Sequence, residues 1–359
     1  MTIDVPTSSE LLLAHRENSL GCITLNRPRA LNALNLEMIE AFAEVLEQWR
    51  TDTDVHMVLL EGAGERGLCA GGDIRVLHEN ITSGDVSLAQ EFFRTEYALN
   101  AAIAEFPKPF VALLDGITMG GGIGVGGHAA IRVVTERSQL AMPETRIGFT
   151  PDVGGTWLLA HAPGRVGEYL ALTSASMSAA DAIYAGFADY FVPSDRLDGL
   201  REALAYRADP AGPSELVLRF DETPDAAPLA EEQQWIDEVF SADTVAEIRD
   251  RLRDIDRDAA RAALTAIEEV SPTSLVVALD AVREARAMPD LRAALAGEYR
   301  RVLWFAEQHP DLVEGIRAQV IDKDRAPRWQ PATIDDLTND AGAAARDFRP
   351  AVGLWDSND

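Results

Sequence analysis

The most constraining feature of the sequence is an alternation of strand-like and helix-like patterns between about residues 20 and 192. Residues 20–26 alternate well enough for a strand, 57–62 is a short apolar run typical of a buried strand, and 110–116 is a further strand-like run. Between them, one stretch that begins at Asn35 and another at 87–105 place apolar residues at helical spacing. Strands that alternate with helices predict parallel βαβ units, so we expect an α/β fold.

The pattern changes after about Val192. An acidic, proline-containing connector follows at 221–232, and from there to about Gln319 the apolar spacing is helical. The sequence therefore predicts an α/β core at 1–207, a helical C-terminal region at 208–335 and a polar tail at 336–359.

Charge and cysteine content exclude several classes of partner and compartment. The chain has 32 basic and 59 acidic residues, a net charge of −27, which makes nucleic acid and anionic membranes poor partners. No apolar run reaches the roughly 18 residues of a membrane span, and residues 1–19 do not resemble a secretory signal. The two cysteines, Cys22 and Cys69, argue against a disulfide framework. We expect a cytoplasmic protein.

Three consecutive glycines, Gly120 to Gly122, follow the predicted strand at 110–116. Glycines at such a position let the backbone approach a ligand closely and leave N–H groups free at a helix start. Residues 122–127 also match the dinucleotide pattern G-x-G-x-x-G, but that fingerprint normally opens the first βα unit of a domain, and here earlier strands precede it. A third possibility is that these glycines only allow a helix to pack closely against its neighbours.

A second glycine-rich turn, Cys69 to Asp73, follows the predicted strand at 57–62. Alone it is a weak signal, since most such turns are only turns. Two glycine turns that each follow a strand can, however, direct two backbone N–H groups at one oxygen. Such an oxyanion hole stabilises charge that develops on a carbonyl.

Three carboxylates are candidates for proton transfer or nucleophilic attack. Glu144 and Asp152 lie in a loop among apolar residues, and Glu96 lies on a predicted helix. A lone acid in such a place is more often a cap or an ion-pair partner. Glu144 stands out because Met142-Pro143 and Ile147-Gly148-Phe149 flank it, and an apolar pocket tends to raise the pKa of a carboxyl.

Other common chemistries find no support in the spacing of the residues. The six histidines and two cysteines show no metal-ligand spacing, so no metal site is expected. The chain also lacks the G-x-S-x-G elbow of Ser-His-Asp hydrolases.

Five ordered motifs resemble the crotonase (enoyl-CoA hydratase/isomerase) superfamily. They are LNRPRALNALNLEMI, LCAGGDI, KPFVALLDGITMGGGIGV, LAMPETRIGFTPDVGG and AGFADYFV. The resemblance implies a crotonase-like spiral of ββα units with a helical C-terminal region, which agrees with the α/β reading above. It also implies an acyl-CoA thioester substrate, with CoA as part of the substrate and no separate cofactor.

The resemblance assigns roles to individual residues. It implies that the amides of Ala70 and Gly121 hold the thioester oxygen and that Glu144 is catalytic. Asp152 is expected to assist it, and Glu96 and Gly120 to bind the substrate. The CoA moiety is expected to contact two segments, Arg29, Ala30 and Leu31 together with Gly72, Asp73 and Ile74.

Gly124 is an informative departure from the family pattern. Hydratases of the superfamily carry a second glutamate at this position, and glycine cannot transfer a proton. With Glu96 and Asp152 present, the chain looks like the branch that hydrolyses 3-hydroxyisobutyryl-CoA in valine breakdown. The segments SPTSLVVAL, EYR and EGIRAQVIDKDRAPRWQP resemble the same branch.

Two other readings compete with hydrolysis. One is another reaction of the superfamily, hydration or double-bond isomerisation of an acyl-CoA. The other is a CoA-binding or assembly protein without turnover, against which the three acids argue. The superfamily commonly forms trimers or hexamers, so a homo-oligomer is possible.

Overall fold

The computed structural model of the protein describes residues 2–84, 86–206, 212–337 and 340–356. The predicted boundary between residues 207 and 208 lies outside these ranges. The strands within them are β1 (Thr2–Val5), β2 (Leu12–Glu17), β3 (Leu20–Leu25), β4 (Met57–Gly62), β5 (Phe110–Leu113), β6 (Ile117–Met119), β7 (Ile131–Val134), β8 (Gln139–Ala141) and β9 (Tyr190–Phe191).

The helices alternate with the strands at first and then follow one another. They are α1 (Leu36–Thr51), α2 (Ile74–Thr82), α3 (Val86–Ala104), α4 (Gly121–Gly126), α5 (Gly155–His161), α6 (Val166–Thr173), α7 (Ala179–Tyr184), α8 (Leu197–Tyr206), α9 (Pro213–Val217), α10 (Pro228–Phe240), α11 (Val245–Arg253), α12 (Asp258–Glu269), α13 (Pro272–Ala285), α14 (Leu291–Gln308), α15 (Asp311–Ile316) and α16 (Asp340–Asp347). The predicted strands at 20–26, 57–62 and 110–116 and the helices at 35 and 87–105 are confirmed.

The chain forms two compact units, and each is assembled from three separate stretches of sequence. The first unit comprises Met1–Gly72, Thr95–Leu140 and Met177–Ala230. The second comprises Asp73–Arg94, Ala141–Ser176 and Glu231–Asp359.

The first unit is built on a seven-stranded sheet of order β1-β2-β3-β4-β5-β7-β9. The pairs β1–β2 and β2–β3 are antiparallel, whereas β3, β4, β5, β7 and β9 run parallel. The parallel strands β3, β4 and β5 are buried on both faces over most of their length, which is why they read as continuous apolar runs. The βαβ prediction is therefore confirmed.

One face of this sheet packs against α8 and α9. The cluster consists of Leu20, Cys22, Met57, Leu59, Val111, Leu113, Ile131, Val133, Val192, Leu197, Leu200, Leu204, Ala205, Leu216 and Val217. The strands β1 and β2 were not predicted. Their side chains are largely exposed or half-buried, so the apolar signal of a strand is weak there.

The second unit is helical around α13, of whose fourteen residues ten are buried. The helix begins at Ser271, whose Oγ accepts a hydrogen bond from the Ser274 amide, and it packs against α5, α6, α14 and α16. Among the described residues, no single helix is long and apolar enough to cross a membrane. Helices α12 and α13 reach that length and apolar content only when they are taken together, and the chain bends by 114° between them.

Residues 336–359, predicted as a polar tail, contain α16 within their described part. Ala345 of this helix is fully buried, and α16 packs on α13. Gly342 permits the close approach, because a methyl group there would lie 3.1 Å from the Asp280 Cβ. Beyond the helix, Leu354 is buried. Small residues make this contact, and their low hydrophobicity leaves no apolar pattern in the sequence.

Candidate active site

The two glycine turns meet in the first unit. The Cys69 amide donates to the carbonyl of Ile117 (3.2 Å), and the Met119 amide donates to the carbonyl of Cys69 (3.0 Å). Gly67 and Gly116 form a further bridge between the same segments. The turn after β4 is therefore hydrogen-bonded to β6, the strand that leads into Gly120 and α4.

Gly121, the first residue of α4, lies against the other turn. A methyl group in place of its hydrogen would lie 2.7 Å from Glu96 Oε1 and 3.1 Å from the Gly72 amide nitrogen. With ordinary bond lengths added, the Gly72 and Gly121 nitrogens are at most about 6 Å apart. Among the described residues, neither amide donates to a backbone carbonyl. We call these two N–H groups the amide pair.

The structure corrects the predicted pair of oxyanion donors at one position. The amide of Ala70 donates to the carbonyl of Leu31 at 3.0 Å, so it is already engaged. The amide of Gly72, two residues later, takes its place beside Gly121. The sequence showed the turn but not the orientation of each peptide within it. Gly120 supports the geometry with φ 49° and ψ −118°, a conformation that glycine adopts readily.

Glu96 and Cys69 line the same region of the first unit. Glu96 is 2% exposed, and its carboxyl lies against Gly121. Burial and, to a smaller extent, the charge of Glu96 raise the pKa of the Cys69 thiol to about 12. The thiol therefore stays protonated and is a poor nucleophile. The acid, not the cysteine, is the chemically useful group here.

The predicted CoA-binding residues of the first unit lie beside the amide pair. Arg29 and Ala30 are exposed on a 3₁₀ turn, and the Leu31 carbonyl accepts the Ala70 amide. The Leu34 amide also donates to the carbonyl of Gly71. The structure thus brings 29–31 next to Gly72. Asp73 and Ile74 open α2, which belongs to the second unit.

Glu144 and Asp152 lie on one segment of the second unit, residues 144–156, which we call the acid loop. Glu144 begins a 3₁₀ turn that ends at Gly148, in the left-handed conformation (φ 71°). Phe149 packs in parallel on Phe93, with ring centroids 5.9 Å apart, and edge-on against Phe305 at 5.7 Å. These aromatic contacts anchor the loop between its two acids.

Asp152 is 6% exposed and stands at the entry to a tight turn. Its carbonyl accepts the Gly155 amide at 2.6 Å. Val153 and Gly154 both have positive φ, 52° and 78°. Positive φ is unfavourable for a β-branched residue such as Val153, so the surrounding structure must enforce it.

Glu298 is hydrogen-bonded to the acid loop, and the sequence alone did not identify it as part of the site. The carboxyl is 1% exposed on α14 and accepts the Gly154 amide (2.7 Å), the Thr156 amide (2.9 Å) and the Thr156 hydroxyl (2.5 Å). Burial raises the pKa of Glu298 to about 8, and the charge of Asp152 contributes to the increase. The motif EYR held this glutamate, but nothing in the sequence linked it to Asp152.

Gly124, the departure from the hydratase pattern, lies buried in α4, where its amide donates to the carbonyl of Gly120 at 3.1 Å. No proton-transferring side chain is present at this position. Among the described residues, no group of three or more His, Cys, Asp or Glu side chains could hold a metal ion.

Comparisons with known proteins agree with the geometry. The profile of the family described as Enoyl-CoA hydratase/isomerase matches residues 20–345. The chain is 42% identical over 343 residues to "3-hydroxyisobutyryl-CoA hydrolase, mitochondrial" of Rattus norvegicus, covering 93% of this chain and 88% of that protein.

Two solved structures share the fold over nearly the whole chain. One, described as a carnitinyl-CoA dehydratase from Mycobacterium thermoresistibile, has a TM-score of 0.90 and 45% identity, covering 96% of this chain and 97% of its own. The other, described as an enoyl-CoA hydratase from Rhodobacter sphaeroides, has a TM-score of 0.88 and 41% identity, covering 94% and 97%.

Proposed function

The chain belongs to the enoyl-CoA hydratase/isomerase family, and from this we propose that it hydrolyses the thioester of a β-hydroxyacyl-CoA, specifically 3-hydroxyisobutyryl-CoA. The observation that carries the proposal is the set of site residues. Glu144 and Asp152 are buried on the acid loop, while Gly124 stands where hydratases of the family have their second glutamate.

The names of the relatives point to two reactions, and the residues of this chain favour one of them. The curated relative from rat is named a hydrolase, whereas the two similar structures are described as a dehydratase and a hydratase. Hydration of a double bond by the family mechanism needs two glutamates to handle the water and its proton. With Gly124 in place of one of them, this chain is better suited to thioester cleavage.

In the proposed first step, a carboxylate oxygen of Glu144 attacks the thioester carbonyl carbon. Negative charge then develops on the carbonyl oxygen, which accepts hydrogen bonds from the amide pair of Gly72 and Gly121. The carbon–sulfur bond breaks, and CoA leaves as a thiolate that takes a proton from water. The product of this step is a mixed anhydride between Glu144 and the acyl group.

In the second step, water attacks a carbonyl carbon of the anhydride, and the bond from that carbon to the bridging oxygen breaks. The hydroxyacid leaves as its carboxylate, the Glu144 carboxylate is regenerated, and the two protons of the water pass to the solvent, where one neutralises the hydroxide from the first step. Asp152 orients this water or the substrate hydroxyl, and Glu96 binds the hydroxyl end of the acyl chain. Splitting one displacement into two steps lowers the barrier of each. We propose no separate cofactor, since CoA enters as part of the substrate and leaves as the free thiol.

A thiol-release assay on a small acyl-CoA panel tests the proposal. We expect release of free thiol from 3-hydroxyisobutyryl-CoA, detected with a disulfide reagent, to exceed release from acetyl-CoA and isobutyryl-CoA. The matched control is crotonyl-CoA, followed by its enoyl absorbance. Loss of that absorbance without thiol release, together with no release from the hydroxyacyl substrate, would establish hydratase chemistry instead.

The biological setting follows from the substrate. We propose that the enzyme acts in valine catabolism, because the chain resembles the branch that hydrolyses 3-hydroxyisobutyryl-CoA in valine breakdown. We propose a cytoplasmic location from the two free, buried cysteines, Cys22 and Cys69. We also propose a homo-oligomer, a trimer or hexamer, because the family commonly forms one. Size-exclusion chromatography with light scattering measures that assembly directly.

A further inference from the structure

The buried carboxyl of Glu298 is hydrogen-bonded to the turn that follows Asp152. Its two oxygens accept three hydrogen bonds, all from Gly154 and Thr156, which are more than 140 positions away in the sequence. Burying a carboxyl is costly unless its partners compensate. All three of these partners lie in one short turn, so the hydrogen bonds of Glu298 constrain the conformation of that turn.

The turn needs such support for two reasons. Helix α5 begins at Gly155 without a side-chain cap, so its first N–H groups require acceptors from elsewhere. Val153 and Gly154 also hold two successive left-handed conformations, and a valine does so only when its surroundings enforce it. Glu298 supplies the acceptors at the point where the backbone is strained.

We propose that Glu298 is a positioning residue that holds the Asp152 carboxylate in its reactive orientation by clamping the turn from Val153 to Thr156. This inference rests on the proposed function, because it deepens the role of Asp152 in thioester hydrolysis. Glu298 does not contact the substrate. Its contribution passes through the backbone of the turn.

A second buried carboxyl in the same unit provides a matched control. Glu168 is fully buried on α6 and pairs with the guanidinium groups of Arg165 (2.8 Å) and Arg286 (2.6 Å). Its partners are arginine side chains, not amides of the acid loop. Removing the Glu168 charge should therefore lower stability, since a buried ion pair is broken, without changing the geometry of Asp152.

The test is a double-mutant cycle between Glu298→Ala and Asp152→Asn, with kcat and KM measured by thiol release and CoA affinity by calorimetry. A displacement of about 1 Å can lower a rate on the order of 10²-fold, so we expect Glu298→Ala alone to lower kcat by that amount with little change in CoA affinity. In the Asp152→Asn background the same change should have less than about a threefold effect, because coupled residues are not additive. The control Glu168→Gln should lower Tm but keep kcat within about twofold of the wild type, because Glu168 is not coupled to Asp152.

Two conservative substitutions of Thr156 test the same inference if Glu298→Ala does not fold. Thr156→Val removes one of the three hydrogen bonds and should lower kcat, whereas Thr156→Ser keeps the hydroxyl and should restore it. Fully multiplicative effects of Glu298→Ala and Asp152→Asn, or a wild-type kcat in Thr156→Val, would overturn the inference alone. Absence of thiol release by the wild-type protein would instead overturn the proposed function and, with it, the inference.

Discussion

The glycine turns of the first unit and the acid loop of the second are built in different ways. The turns are held by backbone hydrogen bonds between segments that each carry a recognisable glycine motif, such as Cys69 to Ile117. The acid loop owes its shape to one side chain, Glu298, from a distant helix and to the stacking of Phe149 on Phe93. The first kind of site can be read from local sequence, and the second cannot.

The comparison implies that the two regions respond differently to substitution. The backbone amides of the first region cannot be removed by changing a side chain, so that region is vulnerable mainly to added atoms. The acid loop presents its chemistry on side chains, so it is vulnerable to their loss.

We expect the largest effect from Glu144→Gln. The amide keeps the shape of the side chain but cannot attack a thioester or transfer a proton, so kcat should fall on the order of 10²–10⁴-fold. Steady-state thiol release measures it, and circular dichroism checks the fold. An unchanged kcat would remove Glu144 from the mechanism.

Gly121→Ala should have the next largest effect. The new methyl group would lie 2.7 Å from Glu96 Oε1 and 3.1 Å from the Gly72 amide nitrogen, so it displaces both. We expect a loss of kcat on the order of 10²–10³-fold, comparable to the loss of one oxyanion donor.

Gly199→Ala on α8 is the matched control for that substitution. Its methyl group would meet only the ring of Phe220, at 3.2 Å, and helix propensity favours alanine. Activity of this variant should equal that of the wild type. Equal activity of both alanine variants would contradict the assignment of the amide pair.

Asp152→Asn should lower kcat on the order of 10²-fold, at the lower end of the range for a positioned acid or base. Asparagine keeps the size of the side chain, so the affinity for free CoA should stay nearly constant. Parallel measurement of kcat and of CoA binding by calorimetry separates the two. If affinity falls as far as kcat, Asp152 has a structural role.

The smallest effect concerns the dependence of stability on pH. The pKa of Glu298 is raised from its ordinary value of 4.5 to about 8, so the folded state binds this proton more tightly than the unfolded state. The resulting stabilisation is complete below pH 4.5 and is lost as the pH rises through about 8.

In Glu298→Gln the side chain cannot titrate, so this variant does not lose stability through position 298 as the pH rises. The free energy of unfolding of the wild type, relative to that of Glu298→Gln, should decrease between pH 5 and pH 8 in denaturant titrations. Other titrating groups are common to both proteins and cancel in the difference. A difference that is constant with pH would contradict the raised pKa.

The sequence predicted the features that depend on neighbouring residues. The parallel strands β3, β4 and β5 appear as apolar runs because both their faces are buried, and the glycine motifs marked both turns. It failed where the decisive contact is remote or depends on the orientation of one peptide. The motif predicts Ala70 as a donor, but the Ala70 amide is already bonded to the Leu31 carbonyl, and a motif does not show which amide is engaged. Glu298 and α16 escaped notice because their partners are distant in sequence.

Hydrolysis in ¹⁸O-labelled water tests the central claim most directly. With 3-hydroxyisobutyryl-CoA and many turnovers, the account predicts ¹⁸O in the carboxylate of the released acid and one free thiol per molecule of acid. Both signals should form on the order of 10²–10⁴-fold more slowly in Glu144→Gln. Intact thioester with ¹⁸O at the β-carbon of an enoyl substrate, and no free thiol from the hydroxyacyl substrate, would contradict it.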